Sequence, residues 1–264
     1  MNQLVAIACS TPQAIPLAME AATPFLEAAP ATEDFASGVA TFGPDGQPLV
    51  SRRPAGGRRD DELRRALAGG FVLHQLTKNL DGPFRGEDSP PYRYRRWVGA
   101  LLDRIEPGTR PSDPVLAVPP HIARNIRGRR AAEEVFHLFV AFMHSFHNVD
   151  AATPDPAVTR RALRSALSLI PGRWGSTGGA AMVVCDGRLM VATSHDWPLW
   201  FATLGDMTDG RTTFDATTRL PMRSVPPRAV VLTDRPMDGP GWRRVPDGGF
   251  LLADRAGRWE LAEA

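Results

Sequence analysis

The sequence has few of the residues that mark several common kinds of protein. Its 264 residues include only two cysteines, Cys9 and Cys185, too few for a disulfide framework or a structural zinc site. This content fits a reduced, cytoplasmic setting. No apolar run reaches the roughly 18 residues that a membrane span needs. The first twenty residues have no basic start and contain Pro12 and Pro16, which argues against a signal peptide. We therefore expect a soluble, cytoplasmic protein.

Lysine is almost absent, so nearly all the positive charge is guanidinium. Lys78 is the only lysine, and the net charge is +2. The arginines are spread along the chain, mostly beside Asp and Glu, whereas a nucleic-acid-binding protein usually gathers them on one face. A composition of 43% hydrophobic and 23% charged residues is ordinary for a soluble globular chain. We expect no nucleic-acid partner, no membrane association and no cofactor.

Apolar periodicity and turn residues predict an α+β fold in one domain, residues 1–264. Strands or hairpins are predicted at 2–8, 38–53, 71–77, 180–193, 228–234 and 242–263, with Asp186-Gly187 at the turn of the fourth. Helices are predicted at 58–68, 130–149 and 158–170, the last closed by Pro171-Gly172. Residues 81–96 are predicted to be a loop, and 96–105 fit a strand or a helix equally well.

Several segments resemble, in the same order, the motifs of class II glutamine amidotransferases. MNQLVAIACSTP, at the start, is similar to the family's Met-Cys-(Arg/Gln)-Leu-Leu-Gly. FVLHQLTKN (71–79) resembles its Ala-His-Ile-Arg-Lys-Ala-Thr strand, and EDSPPY (87–92) its ENTHPF segment. WVGALLD (97–103) falls where the family has Trp-x-x-Ala-His-Asn-Gly, and 230–254 follows the terminal Ser-Glu-Pro-Leu … Trp … Val-Pro-x-Gly pattern. The resemblance implies a four-layer αββα sandwich of the N-terminal-nucleophile hydrolase type.

Within this family, the sequence is most similar to the small stand-alone branch related to the γ-glutamyl amidohydrolase of ergothioneine synthesis. The family's nucleophile is a cysteine at the second position, activated by its own α-amino group. Asn2 stands there in this chain. Because a carboxamide nitrogen is delocalised into its carbonyl, it cannot attack an amide carbon as a thiolate does. The resemblance therefore implies a degenerate nucleophile position.

The same resemblance implies losses in the substrate pocket. Leu76 replaces the arginine that binds the substrate carboxylate, and Leu102-Asp103 replaces the Asn-Gly of the oxyanion hole, where loss of one donor costs roughly 100- to 1000-fold in rate. Ala131 replaces the aspartate that holds the substrate amino group. The predicted degenerate pocket consists of His74, Leu76, Thr77, Trp97, Leu102, Asp103 and Ala131, and no metal site is expected.

Three functions remain open from these residues. The first is a non-catalytic binding or scaffold protein that pairs with an active paralogue or a biosynthetic enzyme. The second is an active glutamine or γ-glutamyl amidohydrolase that uses Ser10, Thr77 or Cys185 as nucleophile. The third is a sensor whose reshaped pocket binds a small anionic or γ-glutamyl compound.

Other clusters have both structural and functional interpretations. His137, His144 and His147 share one helix face, but their spacing suits a packed helix edge better than a zinc site. The 197–201 segment, WPLWF, could be core or an exposed interface. Arg93, Arg95 and Arg96 lie near the expected pocket and could receive an anion.

Overall fold

The computed structural model describes residues 2–11, 14–27, 34–55, 70–80, 84–105, 109, 118–176, 178–205, 228–237 and 241–263. The predicted helix at 58–68 lies outside these ranges.

Two antiparallel sheets form the frame of the described chain. The first sheet has, in spatial order, β11 (Arg243–Arg244), β9 (Trp200–Leu204), β10 (Ala229–Thr233), β1 (Gln3–Cys9), β4 (Phe71–Lys78), β2 (Phe35–Phe42) and β3 (Pro48–Pro54). The second has β13 (Trp259–Ala262), β12 (Phe250–Asp254), β8 (Leu189–His195), β7 (Ala180–Cys185), β6 (Trp97–Leu102) and β5 (Tyr92–Tyr94). Every predicted strand and hairpin is confirmed, and the open segment 96–105 contains a strand.

Helices pack against these sheets. They are α1 (Ile15–Glu27), α2 (Pro120–Ala123), α3 (Ala131–Ser145), α4 (Pro156–Ser168) and α5 (Ile170–Trp174). The two long predicted helices are confirmed as α3 and α4. At the start of α4, the Asp155 carboxylate accepts a hydrogen bond of 2.8 Å from the Ala157 N–H. Pro156 occupies the first helical position, where its missing N–H costs nothing.

Three details differ from the sequence predictions. The 81–96 segment is not a loop throughout its described part, because it contains a 3-10 helix (Gly86–Asp88) and β5. Pro171 and Gly172 do not close α4 but lie inside α5, which ends at Gly175 in the left-handed conformation. Helix α1 was not predicted, because it carries Pro24 in its interior, and an internal proline normally breaks a helix.

Three apolar clusters hold these elements together. One joins residues of both sheets, including Leu4, Leu73 and Val183. A second joins α1 to the first sheet, and a third joins α3 and α4 to the second sheet. Leu199 and Phe201 of the WPLWF segment are buried in the cluster between the sheets.

None of the helices in the described ranges is both long enough and apolar enough to cross a membrane.

Candidate functional site

A polar cavity lies where the start of β1 meets the ends of β4 and β6 and the first turn of α3. Its volume is about 190 Å³, somewhat larger than an engineered cavity of about 150 Å³ that holds benzene. The polar side chains in its wall are those of Asn2, Gln75, Thr77, Lys78, Asn79, Tyr92, Asp103 and Arg130. We refer to it as the polar cavity.

Asn2 enters the polar cavity because of the strand register. Gln3 pairs with Leu76 and Leu4 with Gln75, so Asn2 lies opposite the end of β4. Its Oδ1 accepts hydrogen bonds from the Thr77 hydroxyl at 3.2 Å and from the Lys78 N–H at 3.3 Å. The Asn2 side chain therefore ties the start of β1 to β4 in the wall of the cavity.

Two buried polar atoms of the cavity wall have no hydrogen-bond partner among the described residues. They are the hydroxyl of Tyr92 and Oε1 of Gln75, and both residues are 1% exposed. The amide nitrogen of Gln75 is used, since it donates to the Leu101 carbonyl at 2.8 Å. Buried polar groups are nearly always paired, because an unpaired one costs about 1–3 kcal/mol. Both residues line the cavity, so the two unpaired groups lie within its wall.

Two groups of opposite charge, Asp103 and Arg130, line the cavity. Burial raises the pKa of Asp103 to about 6, although the Ile105 N–H and the positive charge of Arg130 favour its ionised form. The guanidinium of Arg130 is positioned by bonds to the backbone carbonyls of Asp88, at 2.6 Å, and Lys78. A carboxyl group that titrates near neutrality beside a fixed cation suits a ligand with both donors and acceptors.

His74 and Leu76 lie on the opposite face of β4 from the polar cavity. The Nε2 atom of His74 is 3.1 Å from the Ser37 hydroxyl. Leu76 packs in a small cluster with Ala55 and Phe35. Side chains alternate along a strand, so the residues of β4 that line the cavity are Gln75 and Thr77.

Of the seven residues expected in the degenerate pocket, Thr77 and Asp103 line the polar cavity. Trp97 is fully buried, and its indole nitrogen donates to the Val149 carbonyl at 3.0 Å. Leu102 belongs to the cluster between the sheets. Ala131 packs at the margin of the helix cluster, and its neighbour Ala132 contributes to the cavity wall.

Neither thiol lies in the polar cavity. Cys9 ends β1, seven residues from Asn2, which at about 3.3 Å per residue is roughly 23 Å away. Burial raises the pKa of the Cys9 thiol to about 12. Burial, with the negative charge of Asp186, raises the pKa of Cys185 well above its ordinary value. Both thiols stay protonated at neutral pH, where the thiolate is the reactive form.

Among the residues that the structure describes, no base is hydrogen-bonded to the hydroxyl of Ser10 or Thr77. Ser10 donates to the Arg228 carbonyl at 3.2 Å and accepts from the Arg228 N–H at 2.9 Å. The Thr77 hydroxyl donates to the Asn2 amide oxygen, which is not basic. The hydroxyl beside His74 belongs to Ser37, and both residues are buried outside the cavity.

The histidines of α3 serve packing and hydrogen bonding. His137 is buried against the ring of Tyr94, and His144 is hydrogen-bonded to the Tyr94 hydroxyl at 3.0 Å. Burial lowers the pKa of both imidazoles, and the charges of Arg95 and His121 add to this effect at His144. In the ranges that the structure describes, no group of three or more His, Cys, Asp or Glu side chains could hold a metal ion.

Sequence reasoning missed Gln75, Tyr92 and Arg130 as cavity residues. Seven of the eight residues of β4 are buried, so polarity does not alternate and the side that faces the cavity cannot be read from the pattern. Tyr92 lies in the EDSPPY segment that resembles a family motif, which was the one available signal. Arg130 is far from the other cavity residues along the chain.

Comparisons with known proteins support the architecture. No protein-family model and no curated protein matches the chain. Among solved structures, it is similar to a glutamine aminotransferase class-II domain protein from Silicibacter pomeroyi, with 15% identity and a TM-score of 0.55 over 99% of this chain and 98% of that one. A predicted glutamine amidotransferase from Pseudomonas aeruginosa has 14% identity and a TM-score of 0.51 over 98% and 94%.

A third similar structure is the glutamine phosphoribosylpyrophosphate amidotransferase of B. subtilis in complex with ADP and GMP. It has 12% identity and a TM-score of 0.53 over 99% of this chain. The match covers 49% of that protein, so this chain spans about half its length. Sequence identities this low indicate a shared fold but do not indicate a shared activity. The chain therefore has a fold similar to that of these glutamine amidotransferase proteins.

Proposed function

We propose that this chain is a non-catalytic protein with a glutamine amidotransferase-like fold that binds a small polar molecule in the polar cavity. One observation carries the proposal. The side chain that β1 brings into the cavity is the carboxamide of Asn2, while both thiols are buried elsewhere. A carboxamide can hold a ligand by hydrogen bonds, but it cannot form the covalent intermediate of a cysteine amidase.

The unpaired groups in the cavity support binding. The Tyr92 hydroxyl and Gln75 Oε1 are buried without partners among the described residues, and a ligand with a matching acceptor and donor would remove that cost. Asp103 and Arg130 add a carboxyl group and a cation to the same wall. A small zwitterionic or amide-bearing compound, including the γ-glutamyl class, fits this set of groups. A partner protein, either an active paralogue or a biosynthetic enzyme, would recognise the chain when a ligand occupies the polar cavity.

The four-layer order αββα is part of the proposal. It is supported by the three apolar clusters, which join α1 to the first sheet, the two sheets to each other, and α3 and α4 to the second sheet.

The absence of catalysis is tested with glutamine and γ-glutamyl amides. We expect the purified protein to release no ammonia above the buffer rate. Turnover that disappears in Thr77→Val or Asp103→Asn, while Ser10→Ala remains active, would overturn the proposal in favour of an amidohydrolase with a rearranged site.

Binding is tested by thermal shift with amino acids and γ-glutamyl compounds. A ligand present at 100 times its Kd stabilises the folded protein by about 2.7 kcal/mol, which raises Tm measurably. We expect Tyr92→Phe to reduce this rise and Tyr94→Phe, whose hydroxyl bonds to His144 outside the cavity, to leave it intact. Equal rises in both variants would place the ligand elsewhere.

A further inference from the structure

A second cleft, separate from the polar cavity, has arginines in its wall. Its volume is about 390 Å³, within the range of roughly 300–1,000 Å³ of small-molecule sites. It is lined by Arg52, Gly86, Glu87, Arg93, Asn125, Arg127 and Glu133, and none of these residues lines the polar cavity. We refer to it as the arginine cleft.

The three arginines come from separate elements. Arg52 is on the edge strand β3, Arg93 on the edge strand β5, and Arg127 in the connection between α2 and α3. Within the part of the chain that the structure describes, no ion pair involves any of the three. This contrasts with two nearby arginines, since Arg95 pairs with Asp150 and Arg96 pairs with Asp186 at 3.0 Å.

The protein leaves these guanidinium groups with unused donors. Arg52 donates from Nη2 to the Pro91 carbonyl at 2.7 Å, but its Nε is buried without a partner among the described residues. Toward the described residues, Arg93 donates only from Nε, to the Arg95 carbonyl at 3.2 Å. Each guanidinium has five N–H donors arranged in forks that match anionic oxygens.

The two carboxylates of the cleft neutralise it only in part. Glu133 is turned toward the backbone, where it accepts from the Arg127 N–H at 3.1 Å and the Gly128 N–H at 2.6 Å. Glu87 is exposed, as are Arg93 and Arg127. Three guanidinium groups against two carboxylates leave the cleft with an excess of one positive charge.

The loop that carries Arg127 is fixed before any ligand arrives. Besides the two bonds to Glu133, Asp88 accepts from the Arg129 N–H at 2.7 Å and from the Arg129 guanidinium at 2.6 and 2.9 Å. A Cβ on Gly128 would lie 2.4 Å from the Glu87 carbonyl, so the loop packs closely against the 3-10 helix. Because these contacts hold the loop in place, ligand binding loses less conformational entropy.

We infer that the arginine cleft binds a phosphate-bearing small molecule, at a site distinct from the polar cavity. Three forked donors from three separate elements suit the three or four oxygens of a phosphate group better than the two of a single carboxylate. Burial lowers the pKa of Arg52, partly opposed by Tyr92, Glu133 and Glu87. A bound phosphate dianion would stabilise the charged guanidinium of Arg52 and so offset the cost of its burial.

The test uses isothermal titration of the full chain with inorganic pyrophosphate, with glycerol 3-phosphate and citrate as parallel probes, all at one ionic strength set by chloride. We expect saturable binding of the phosphate compounds with one site per chain. Arg93→Gln and Arg127→Gln should each weaken binding roughly tenfold or more, since each removes a charged donor. Arg52→Lys keeps the charge at the half-buried position but loses the fork, so it should also weaken binding.

Arg124→Gln is the matched control, because Arg124 is exposed, lies three residues from Arg127 and is not part of the cleft wall. It removes the same charge and should change affinity by less than about twofold. No saturable binding of either phosphate compound, or equal weakening by Arg124→Gln, would overturn the inference. Citrate binding more tightly than pyrophosphate would overturn the phosphate assignment. The result is independent of the ammonia assay, since the two sites share no wall residue.

Discussion

At the scale of single residues, the two tyrosines of β5 differ in one respect. Tyr92 and Tyr94 are 1% and 6% exposed, and both rings pack in the cluster under α3. The Tyr94 hydroxyl is hydrogen-bonded to His144, whereas the hydroxyl of Tyr92, a residue of the cavity wall, has no partner among the described residues. The two tyrosines therefore differ in whether the hydroxyl has a hydrogen-bond partner among the described residues.

We predict opposite effects of removing these two hydroxyls. Tyr92→Phe should not lower the free energy of unfolding, and should raise it by up to about 2 kcal/mol, because a buried unpaired polar atom disappears. Tyr94→Phe should lower it by about 0.5–1.5 kcal/mol through the lost hydrogen bond. Urea unfolding of the ligand-free protein measures both. Equal losses in the two variants would show that the Tyr92 hydroxyl already has a partner.

Asp103 should make stability depend on pH. Burial raises the pKa of this carboxyl from its ordinary 3.8 to about 6 in the folded protein, so the folded state holds the proton more tightly than the unfolded state. The stability that Asp103 contributes is therefore full below about pH 4 and is lost as the pH rises through 6.

Asp103→Asn should remove this dependence, because the amide resembles the protonated carboxyl and does not ionise. Relative to wild type, the variant should gain stability between about pH 4 and 6, with a slope of at most about 1.4 kcal/mol per pH unit. Urea unfolding across this range measures the difference. The pKa of Asp234 is also raised to about 6 by burial, but Asp234 is present in both proteins. If the difference in free energy of unfolding between the two proteins did not change with pH, the raised pKa of Asp103 would be contradicted.

At the scale of elements, the Pro90-Pro91 segment connects the two candidate sites. Pro90 lines the polar cavity, and the Pro91 carbonyl accepts the hydrogen bond from Arg52 of the arginine cleft. The segment lies directly against β2, where a Cβ on Gly38 would be 1.8 Å from the Pro90 carbonyl oxygen. Only glycine permits this approach of strand and segment.

We predict that Gly38→Ala destabilises the protein by about 1–3 kcal/mol, as expected for overpacking that backbone atoms cannot relieve. Gly172→Ala, in α5, is the matched control, since a Cβ there meets no atom within 4 Å. It should be neutral or stabilising by up to about 1 kcal/mol, as for glycine to alanine in a helix. Denaturant unfolding compares them. A Gly38→Ala protein as stable as wild type would show that β2 and the segment are not in contact.

At the scale of the whole molecule, the layers of sheets and helices bury both cysteine thiols. Cys9 belongs to the cluster between the first sheet and α1, and Cys185 to the cluster between the sheets. They lie 3% and 2% exposed, so a reagent reaches them only when these layers separate.

Both thiols should therefore report global unfolding. At about pH 8, a thiol whose pKa is about 12 has roughly a thousandfold less thiolate than an ordinary cysteine, before its burial is considered. We expect a disulfide reagent to label neither cysteine in the native protein on the timescale of labelling in denaturant. The variants Cys9→Ser and Cys185→Ser each keep one thiol, so they show which cysteine is labelled. Rapid labelling of either thiol in the native state would reopen a role for it as a nucleophile.

The amino-acid sequence by itself determined most of the elements and the presence of an amide, not a thiol, at the second position. Local rules suffice for these features. Gly-rich turns flanked by apolar runs fix the hairpin at 38–53 and the hairpin between β7 and β8, and the 3.6-residue period fixes α3 and α4. Asn2 differs from a cysteine wherever it lies. Helix α1 was missed because Pro24 lies in its interior, where a proline normally breaks a helix. Packing of α1 on the first sheet outweighs this cost, and the local sequence does not show that packing.

Only the tertiary structure decided which side chains meet. In β4 both faces are buried, so apolar and polar residues do not alternate, and the choice of Gln75 and Thr77 over His74 and Leu76 follows from pairing with β1 and stacking of the second sheet. Arg52, Arg93 and Arg127 likewise meet only because two sheet edges and a helix connection converge. A sequence pattern reports the environment of each residue along its own element, whereas a site depends on distances between elements that are far apart in the chain.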